Sequence, residues 1–513
     1  MAEESKVLGM PAESGRWLFV VLGLVMNVCL GAVYAYSIFK GPVEKAFNVT
    51  AFQGNLPFMV FLLFFAVTMF FGGRIMEKIG PKKLCMIGGV IVSLGWILSS
   101  YANSISMLIL TYGVIAGSGV GLVYGCPIAV GARWFPDKKG LAVGLIVAGF
   151  GGSALITGKL ADMLIPSVGL FSTFLYFGIA FGIILLILSL PLTFPVAGWK
   201  PAGWTPPAGA AAATNLDAGQ MVKTPAYWGL FLCFIIGSLA GLMAIGISKP
   251  VGNEVILIAG STGASLVGVF ACFNALGRPL FGWLTDKITP KYATILNLTI
   301  ILLASVLMLK ATQGTIEVSP NLVANVNGKM VLSQGSVVAE DGKMNLTGGM
   351  FVIKPGNVTQ SAEGLVLKEG SISEKDGKML IKSSIVAAIE KDGASDQKKG
   401  AVVLHGGALS ILRGSVNLYI IAFIGFWMCL GGWLAIAPTA TATFFGMANY
   451  ARNYGVVFFA YGIGAILGGI ISGQAKDVFG TYTFGFYPTA VLAMIGIILA
   501  ALLLKPPKTS SMQ

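Results

Sequence analysis

Long apolar runs separated by short polar loops make up most of this chain. A helix that crosses the hydrocarbon core of a bilayer needs about twenty consecutive, mainly apolar residues. Runs of that length lie near 17–39, 54–76, 84–104, 106–132, 141–165, 170–194, 226–249, 262–285, 291–310, 416–440, 451–475 and 481–504. They predict an all-α membrane protein with about twelve transmembrane helices.

The runs form two sets of six, and a segment rich in Pro, Gly and Ala separates them. Such a pattern is typical of duplicated halves that hold a binding site between them near the middle of the bilayer. The predicted domains are an N-terminal half at 1–194, a cytoplasmic linker at 195–225, a C-terminal half at 226–311 and 414–513, and an insert at 312–413.

The insert is polar, carries charges of both signs and is rich in Val, Ser, Gly and Thr. Asn327-Gly328, Asp341-Gly342 and Asp376-Gly377 stand between alternating segments, where such pairs favour tight hairpin turns. We therefore expect a small β-rich domain, built of hairpins or as a solenoid, and the parity of the spans places it outside the cytoplasm. A disordered loop is the alternative.

Composition and charge agree with a membrane protein. Apolar residues make up 56% of the chain and charged residues 11%, whereas soluble domains carry about 25% charged residues. The net charge of +13 is explained by Lys and Arg in the loops. These fall on one side if both termini are cytoplasmic, as the positive-inside rule requires. Nucleic-acid binding is therefore not expected.

The cysteines and the histidine argue against metal and catalytic chemistry. Six cysteines and one histidine are present, and they form neither a CxxC pair nor a Cys/His cluster. We expect no metal site and no cofactor. The sequence also lacks a catalytic acid pair and a nucleophile with a histidine base, so an enzyme is not expected.

Two loops at corresponding places in the halves share a pattern. Each has a glycine, an acidic residue four positions later, a lysine directly after it and further basic residues. The acid and the basic residues can latch neighbouring helices at the cytoplasmic side, so these residues are assigned to gating. The pattern resembles the loop signature of the major facilitator superfamily. The residues concerned are Gly73, Arg74, Glu77, Lys78, Gly80 and Lys82, and Gly282, Asp286 and Lys287.

Arg278 is the most informative single residue. It lies well inside the eighth run, in Gly277-Arg278-Pro279, where a buried charge is costly and usually faces the bundle interior or a watery cavity. No acidic residue stands one helical turn away. A guanidinium matches a carboxylate with two parallel hydrogen bonds, so Arg278 is the candidate substrate anchor. A gating salt bridge to another helix, or snorkelling to the surface, is the alternative.

Further motifs resemble a narrower family. They are Leu30 to Phe39, Gly119 to Val130, Arg133 to Ala142 and Ala451 to Gly455, together with Gly277-Arg278-Pro279. They are similar to the oxalate:formate antiporter family, which is related to the monocarboxylate transporters. The resemblance implies that Arg278 binds a substrate carboxylate inside an aromatic cage. Of the cage residues, it favours Tyr34 and Tyr124 and, less strongly, Tyr36 and Trp433; ordinary helix packing is the alternative for each.

Two positions depart from that family. Tyr461 stands where oxalate transporters have a second cation, a lysine, which favours a monocarboxylate over oxalate. Asn274 stands where many monocarboxylate transporters have an aspartate that carries a proton. Exchange or facilitated transport is therefore favoured over proton-coupled symport, which stays open because a carboxylate can bring its own proton.

The expected protein is a secondary active transporter of small organic carboxylates that works by alternating access. We expect a monomer surrounded by lipid in the cytoplasmic membrane of a prokaryote. A receptor derived from a transporter, which binds its ligand through the insert, is the rival from another class. Other small organic anions are an alternative substrate class.

Overall fold

The computed structural model describes residues 6–7, 9–196, 199–201, 215–256, 260–312, 415–446, 449–479 and 481–507. Between 315 and 412 it describes the backbone of short strands. The predicted linker residues Trp204 to Pro207 and the central residues of the three predicted hairpin turns lie outside these ranges.

Ten helical segments in the described ranges are long and apolar enough to cross a membrane. We number them α1 (Ala12–Phe47), α2 (Ala51–Ser99), α3 (Ile105–Trp134), α4 (Lys139–Val168), α5 (Leu170–Ser189), α6 (Pro225–Glu254), α7 (Gly260–Ala311), α8 (Val416–Phe445), α9 (Tyr450–Phe479) and α10 (Tyr482–Leu503). They confirm the all-α architecture predicted from the apolar runs. Several helices extend beyond those runs, because polar and charged residues such as Lys40 continue the helical turns.

Two of the ten segments are much longer than one membrane crossing. The 49 residues of α2 would form a straight helix of about 74 Å, more than twice the hydrocarbon thickness of about 30 Å. A non-helical residue interrupts each long segment: Gly80 in α2, with φ +82°, and Thr289 in α7, with φ +73°. A proline follows each of them. These breaks lie in the two similar loops found in the sequence.

The described strands are short. A hairpin of two strands, β1 (Lys6–Val7) and β2 (Met10–Pro11), precedes α1. Thirteen strands, β3 to β15, lie between α7 and α8: Thr315–Val318, Val323–Val326, Lys329–Leu332, Val337–Glu340, Lys343–Leu346, Met350–Ile353, Val358–Ser361, Gly364–Leu367, Ile372–Lys375, Lys378–Lys382, Val386–Glu390, Val402–His405 and Ser410–Leu412.

The strands of the insert pair antiparallel in small sheets. The orders are β4-β5-β10-β9, β11-β12-β3-β15, β13-β8-β14 and β6-β7. The strands on either side of each predicted turn are partners, with Val326 opposite Lys329, Glu340 opposite Lys343 and Lys375 opposite Lys378. That these strands form one folded β-rich domain stays a prediction.

Helix packing brings the two predicted halves together along two seams. In one, α2 of the N-terminal half contacts α9 of the C-terminal half; in the other, α4 contacts α7. Glycines let these backbones approach closely. A Cβ at Gly151 of α4 would come within 3.0 Å of the Ala275 Cα on α7. The space enclosed by these four helices is therefore where a site shared by both halves can form.

The positive φ at Gly80 generates a stability prediction. A side chain there would be strained in the left-handed region, at a cost of about 1–2 kcal/mol. We expect Gly80→Ala to lower the thermal unfolding temperature of the detergent-solubilised protein. Gly73→Ala is the matched control, because a Cβ at either glycine meets open space and only Gly80 has a positive φ. Equal unfolding temperatures for the two variants would contradict a left-handed break at Gly80.

Candidate substrate-binding site

Arg278 lies on α7, is 3% exposed and spans the seam between the halves. Its Nη1 donates a hydrogen bond of 2.5 Å to the carbonyl oxygen of Val147 on α4. Its Nη2 makes a long contact of 3.4 Å with Oδ1 of Asn274 on the same helix. Its Nε has no hydrogen-bond partner among the described residues. A guanidinium has five N–H donors, so this one retains capacity to bind an anion.

Close packing of α7 on α8 holds Arg278 and Asn274 in place. A Cβ at Gly277 would come within 2.2 Å of the Met428 carbonyl oxygen, and one at Gly431 within 2.0 Å of the Asn274 carbonyl oxygen. Only glycine permits such an approach. It lets Nδ2 of Asn274 donate to the Trp427 carbonyl oxygen at 2.8 Å. The amide is thereby oriented with Oδ1 toward the guanidinium.

Tyrosine side chains from three helices surround the guanidinium. Its charge acts on the hydroxyls of Tyr34 on α1, Tyr124 on α3 and Tyr461 on α9. The Tyr34 and Tyr461 hydroxyls are 2.9 Å apart and share a hydrogen bond between the halves. The structure therefore brings together four of the predicted residues, Arg278 and these three tyrosines, with Asn274 beside them.

Two predicted cage residues lie elsewhere. The Tyr36 hydroxyl donates to the Gly54 carbonyl oxygen at 2.6 Å, and its ring stacks on Phe58. Its contacts therefore support the packing of α1 on α2. The Trp433 ring is buried on α8 and stacks on Phe234 with an interplanar angle of 14°, and its Nε1 has no partner among the described atoms. Neither residue has a described contact with Arg278.

Sequence reasoning missed three residues of this environment. Tyr454 on α9 also feels the charge of Arg278. The Phe150 ring lies 5.8 Å from the guanidinium and makes an edge contact with Tyr34. Tyr454 could have been found from its spacing of seven residues before Tyr461, which places both on one helix face. Val147 contributes only a backbone carbonyl, so its side chain gave no signal.

A cavity of about 230 Å³ lies between the halves, next to Arg278 and the tyrosines around it. Three of its lining residues also belong to the environment of Arg278: Val147 accepts its hydrogen bond, and Tyr124 and Tyr454 lie within reach of its charge. The lining residues are Met69, Gly72, Gly73, Met76, Gly121, Leu122, Tyr124, Gly125, Cys126, Ile128, Val143, Val147, Leu434, Pro438, Tyr450, Tyr454 and Gly455. The cavity thus reaches from the arginine toward the Gly80 break inside α2.

Comparison with protein families decides the identity of this bundle. Residues 16–325 match the model of the Major Facilitator Superfamily. The chain belongs to this superfamily. Transporters of this superfamily are not enzymes, as the sequence predicted. A crystal structure of a bacterial homologue of the human lysosomal transporter Spinster, inward-facing and unoccupied, covers 98% of this chain and is itself covered to 99%, with a TM-score of 0.60. At 15% identity, that likeness shows the fold alone.

Relatives within the superfamily agree with the predicted subfamily resemblance. The chain is 31% identical over 278 residues to the oxalate:formate antiporter of Oxalobacter formigenes, a match that covers 53% of this chain and 64% of the antiporter. It therefore spans less than two thirds of that relative. It is also 29% identical over 160 residues to rat monocarboxylate transporter 13, covering 30% of this chain and 37% of that protein.

The superfamily loop residues are not latched in this structure. The Arg74 guanidinium lies 5.2 Å from the Phe70 ring, and the Lys287 ammonium lies 4.7 Å from the Trp283 ring. In the described part of the chain, neither Glu77 nor Asp286 forms an ion pair. The other loop residues of the predicted gating set are Lys78, Lys82 and Gly282. At Gly282 an added Cβ would make only an ordinary contact with Ala435, so close helix packing does not require a glycine there.

Polar contacts between the halves close the end of the helix bundle that lies away from these two loops. Lys40 on α1, 1% exposed, donates to the Tyr482 hydroxyl of α10 at 2.7 Å. Asp477 on α9 accepts hydrogen bonds from the backbone N–H groups of Ala51 and Phe52 at the start of α2. A third contact is the ion pair of Asp162 on α4 with Lys249 on α6, at 2.7 Å.

These contacts lie far from the cavity. Ala51 and Met69, the first lining residue on α2, are 18 positions apart, which corresponds to about 27 Å of helix. One end of the bundle is thus held shut, whereas the cavity occupies the other side of Arg278.

We expect Asp477→Ala to weaken the closed end and to shift the population toward a state in which the cavity is shut. Loss of two hydrogen bonds to a carboxylate should change the ratio of states about fivefold or more. A reporter cysteine, Leu434→Cys on the cavity wall, measures the shift through its rate of alkylation by a maleimide. The background carries Cys126→Ser and Cys272→Ser, because Cys126 also lines the cavity and Cys272 is partly exposed. That rate should fall in the Asp477→Ala variant.

Asp217→Ala is the matched control for that measurement. Asp217 also caps a helix, the short Ala218–Met221 segment, but its partner Gln220 lies in the same local turn. Its removal should leave the alkylation rate unchanged. An unchanged rate in Asp477→Ala as well would show that the contact at Ala51 and Phe52 does not hold the bundle in this state.

Proposed function

We propose that this superfamily member carries small organic monocarboxylates across the membrane by alternating access, with Arg278 as the substrate anchor. The observation that carries the proposal is a guanidinium buried between the halves with an unpaired Nε and surrounded by tyrosine hydroxyls. A buried charge in this position is costly unless a counter-ion completes it. A bound carboxylate supplies that counter-ion and the acceptors that the guanidinium lacks.

The charge of the site favours a monocarboxylate. Arg278 is the cation that faces Tyr34, Tyr124 and Tyr461, whereas the buried Lys40 is engaged with Glu44 and Tyr482. One guanidinium balances one carboxylate, and a second carboxylate would face phenols alone. The antiporter relative is named for oxalate and formate. For this chain, the tyrosine at 461 supports the singly charged class.

Coupling to substrate exchange, or facilitated transport, is favoured over proton symport. The side chain next to Arg278 on its own helix is Asn274, which does not titrate, and its Nδ2 is committed to the Trp427 carbonyl oxygen. The described contacts of Glu44, Asp162 and Asp477 lie at the closed end instead. Proton-coupled monocarboxylate symport is the alternative.

Binding of the carboxylate would drive the rocking of the halves. Once a bound carboxylate balances the charge of Arg278, the guanidinium no longer requires its hydrogen bond to Val147, so α7 can move relative to α4. The Tyr34–Tyr461 hydrogen bond joins the same two halves. An anion that competes for both contacts would loosen the seam from within, which links occupancy to the change of access.

The proposed topology has twelve spans, in two halves of six. The ten long segments become twelve when α2 and α7 each cross the membrane twice, on either side of Gly80 and Thr289. Both termini and both breaks would then face the cytoplasm, and the strand-bearing insert would lie outside. We propose the cytoplasmic membrane of a prokaryote as the location, with a monomer as the working unit.

The anchor is tested by counterflow in proteoliposomes loaded with unlabelled lactate or acetate. We expect Arg278→Gln to lower entry of the labelled acid about 100-fold or more, because the partner charge of a buried ion pair is removed. Lys505→Gln, an exposed basic residue at the end of the last helix, is the control and should transport normally.

The same assay separates the modes of coupling. Entry driven by internal carboxylate should persist when a protonophore collapses the pH gradient, if the protein is an exchanger. Dependence on the gradient would instead support symport. Normal counterflow in Arg278→Gln would remove the anchor assignment.

The insert offers the second candidate function, a receptor in which the insert binds a ligand. Its ends meet: the Ser415 N–H donates to the Ala311 carbonyl oxygen at 3.0 Å, so α7 and α8 adjoin directly. Inserts with adjacent ends are readily removed without disturbing the host fold.

We therefore expect a chain in which a short Gly/Ser linker replaces 313–414 to keep a counterflow rate within about twofold of the full chain. Surface labelling of the shortened protein in intact cells reports insertion. Loss of counterflow with normal insertion would favour the receptor, or a role of the insert in transport.

A further inference from the structure

We propose that the acids this protein carries have an apolar body, an aromatic ring or a branched chain of about five to eight carbons, attached to a single carboxylate. The inference rests on the proposed function and names the substrate class of the same site. It arises from the cavity next to Arg278, which is larger than formate or acetate requires and has apolar walls.

The size of the cavity supports a ligand with a ring. Its volume is about 230 Å³, whereas an apolar cavity of about 150 Å³ in another protein holds a benzene molecule. A two-carbon acid would fill a small part of this space and leave the rest to water. A carboxylate that carries a phenyl ring or an isobutyl group would fill most of it.

The walls of the cavity are apolar. None of the lining residues that the structure describes has a charged side chain. Met69 and Met76 on one side and Leu434 on the other present flexible or branched aliphatic groups, and methionine adapts well to ligands of different shape. Such walls do not repay the dehydration of a small hydrophilic anion, but they favour an apolar group.

Two parallel aromatic rings add a flat surface. Tyr450 and Tyr454 stack with ring centroids 5.8 Å apart and an interplanar angle of 1°. Both line the cavity, and the Tyr454 ring also contacts Phe458 farther along α9. A planar substituent can pack against the ring faces or edges that this ladder presents.

The polar end of the cavity is close to the anchor. Val147 lines the cavity and accepts the hydrogen bond of Arg278, and Tyr124 lines it while its hydroxyl faces the same guanidinium. A ligand with its carboxylate at Arg278 would therefore extend its body between α2, α3 and α9. The site is therefore polar at Arg278 and apolar along the rest of the cavity, which matches the carboxylate and the apolar body of the proposed substrates.

The first measurement is competition in wild-type proteoliposomes. Each buried methylene group should tighten binding about fourfold. Phenylacetate and isovalerate should therefore inhibit entry of labelled lactate at concentrations at least about tenfold lower than acetate does. Phenylacetate loaded inside should also drive counterflow.

The second measurement fills the cavity. A Cβ at Gly125, a lining residue, meets no atom within 4 Å, so Gly125→Leu occupies cavity space without a backbone clash. The half-inhibitory concentration of phenylacetate should rise at least about tenfold, whereas that of acetate should change little. Gly144→Leu is the matched control: its Cβ also meets open space, and Gly144 does not line the cavity.

The outcomes separate this inference from the function on which it rests. Counterflow of lactate or acetate without any effect of phenylacetate or isovalerate would overturn the inference and leave the transport of carboxylates standing. Absence of counterflow and of thermal stabilisation with every acid would overturn both. If Gly125→Leu fails to insert, Gly125→Val takes its place, and thermal stabilisation of the solubilised wild-type protein by phenylacetate reports binding directly.

Discussion

The structure depends on one costly element, a guanidinium held inside the membrane. Arg278 can stay there because Val147 and Asn274 satisfy part of its hydrogen-bonding capacity and tyrosines surround it. The hydrogen bonding of the guanidinium is incomplete, because its Nε has no described partner. A group that is partly satisfied can stay in the fold, and it keeps free donors for the carboxylate that we propose it binds.

Glycine makes that arrangement possible. At Gly277 and Gly431 the backbones of α7 and α8 approach to distances that no Cβ would allow, and Gly151 does the same for α4 and α7. Within a bilayer, where lipid tails are as apolar as the side chains, small residues of this kind drive helix association. The same contacts that stabilise the bundle therefore also orient Asn274 and bring Arg278 to the other half.

Much of this could be read from the sequence, and the reasons are physical. Apolar runs of membrane length identify the helices because the bilayer imposes their length, although helices continued past the runs into polar residues such as Lys40. Arg278 could be chosen because a charge inside such a run is rare. Tyr36 shows the limit: it stands in a family-like motif, but its hydroxyl is bound by Gly54, a partner that spacing does not reveal.

Local hydropathy and one charge inside an apolar run are enough to predict the class of protein, the order of the helices and the residue at the centre of the candidate site. The three-dimensional packing is needed to show which side chains meet Arg278, that Tyr454 and Val147 belong with it, and that one end of the bundle is closed. Such contacts join residues more than 100 positions apart, and they depend on helix rotation and close approach, which no local pattern encodes.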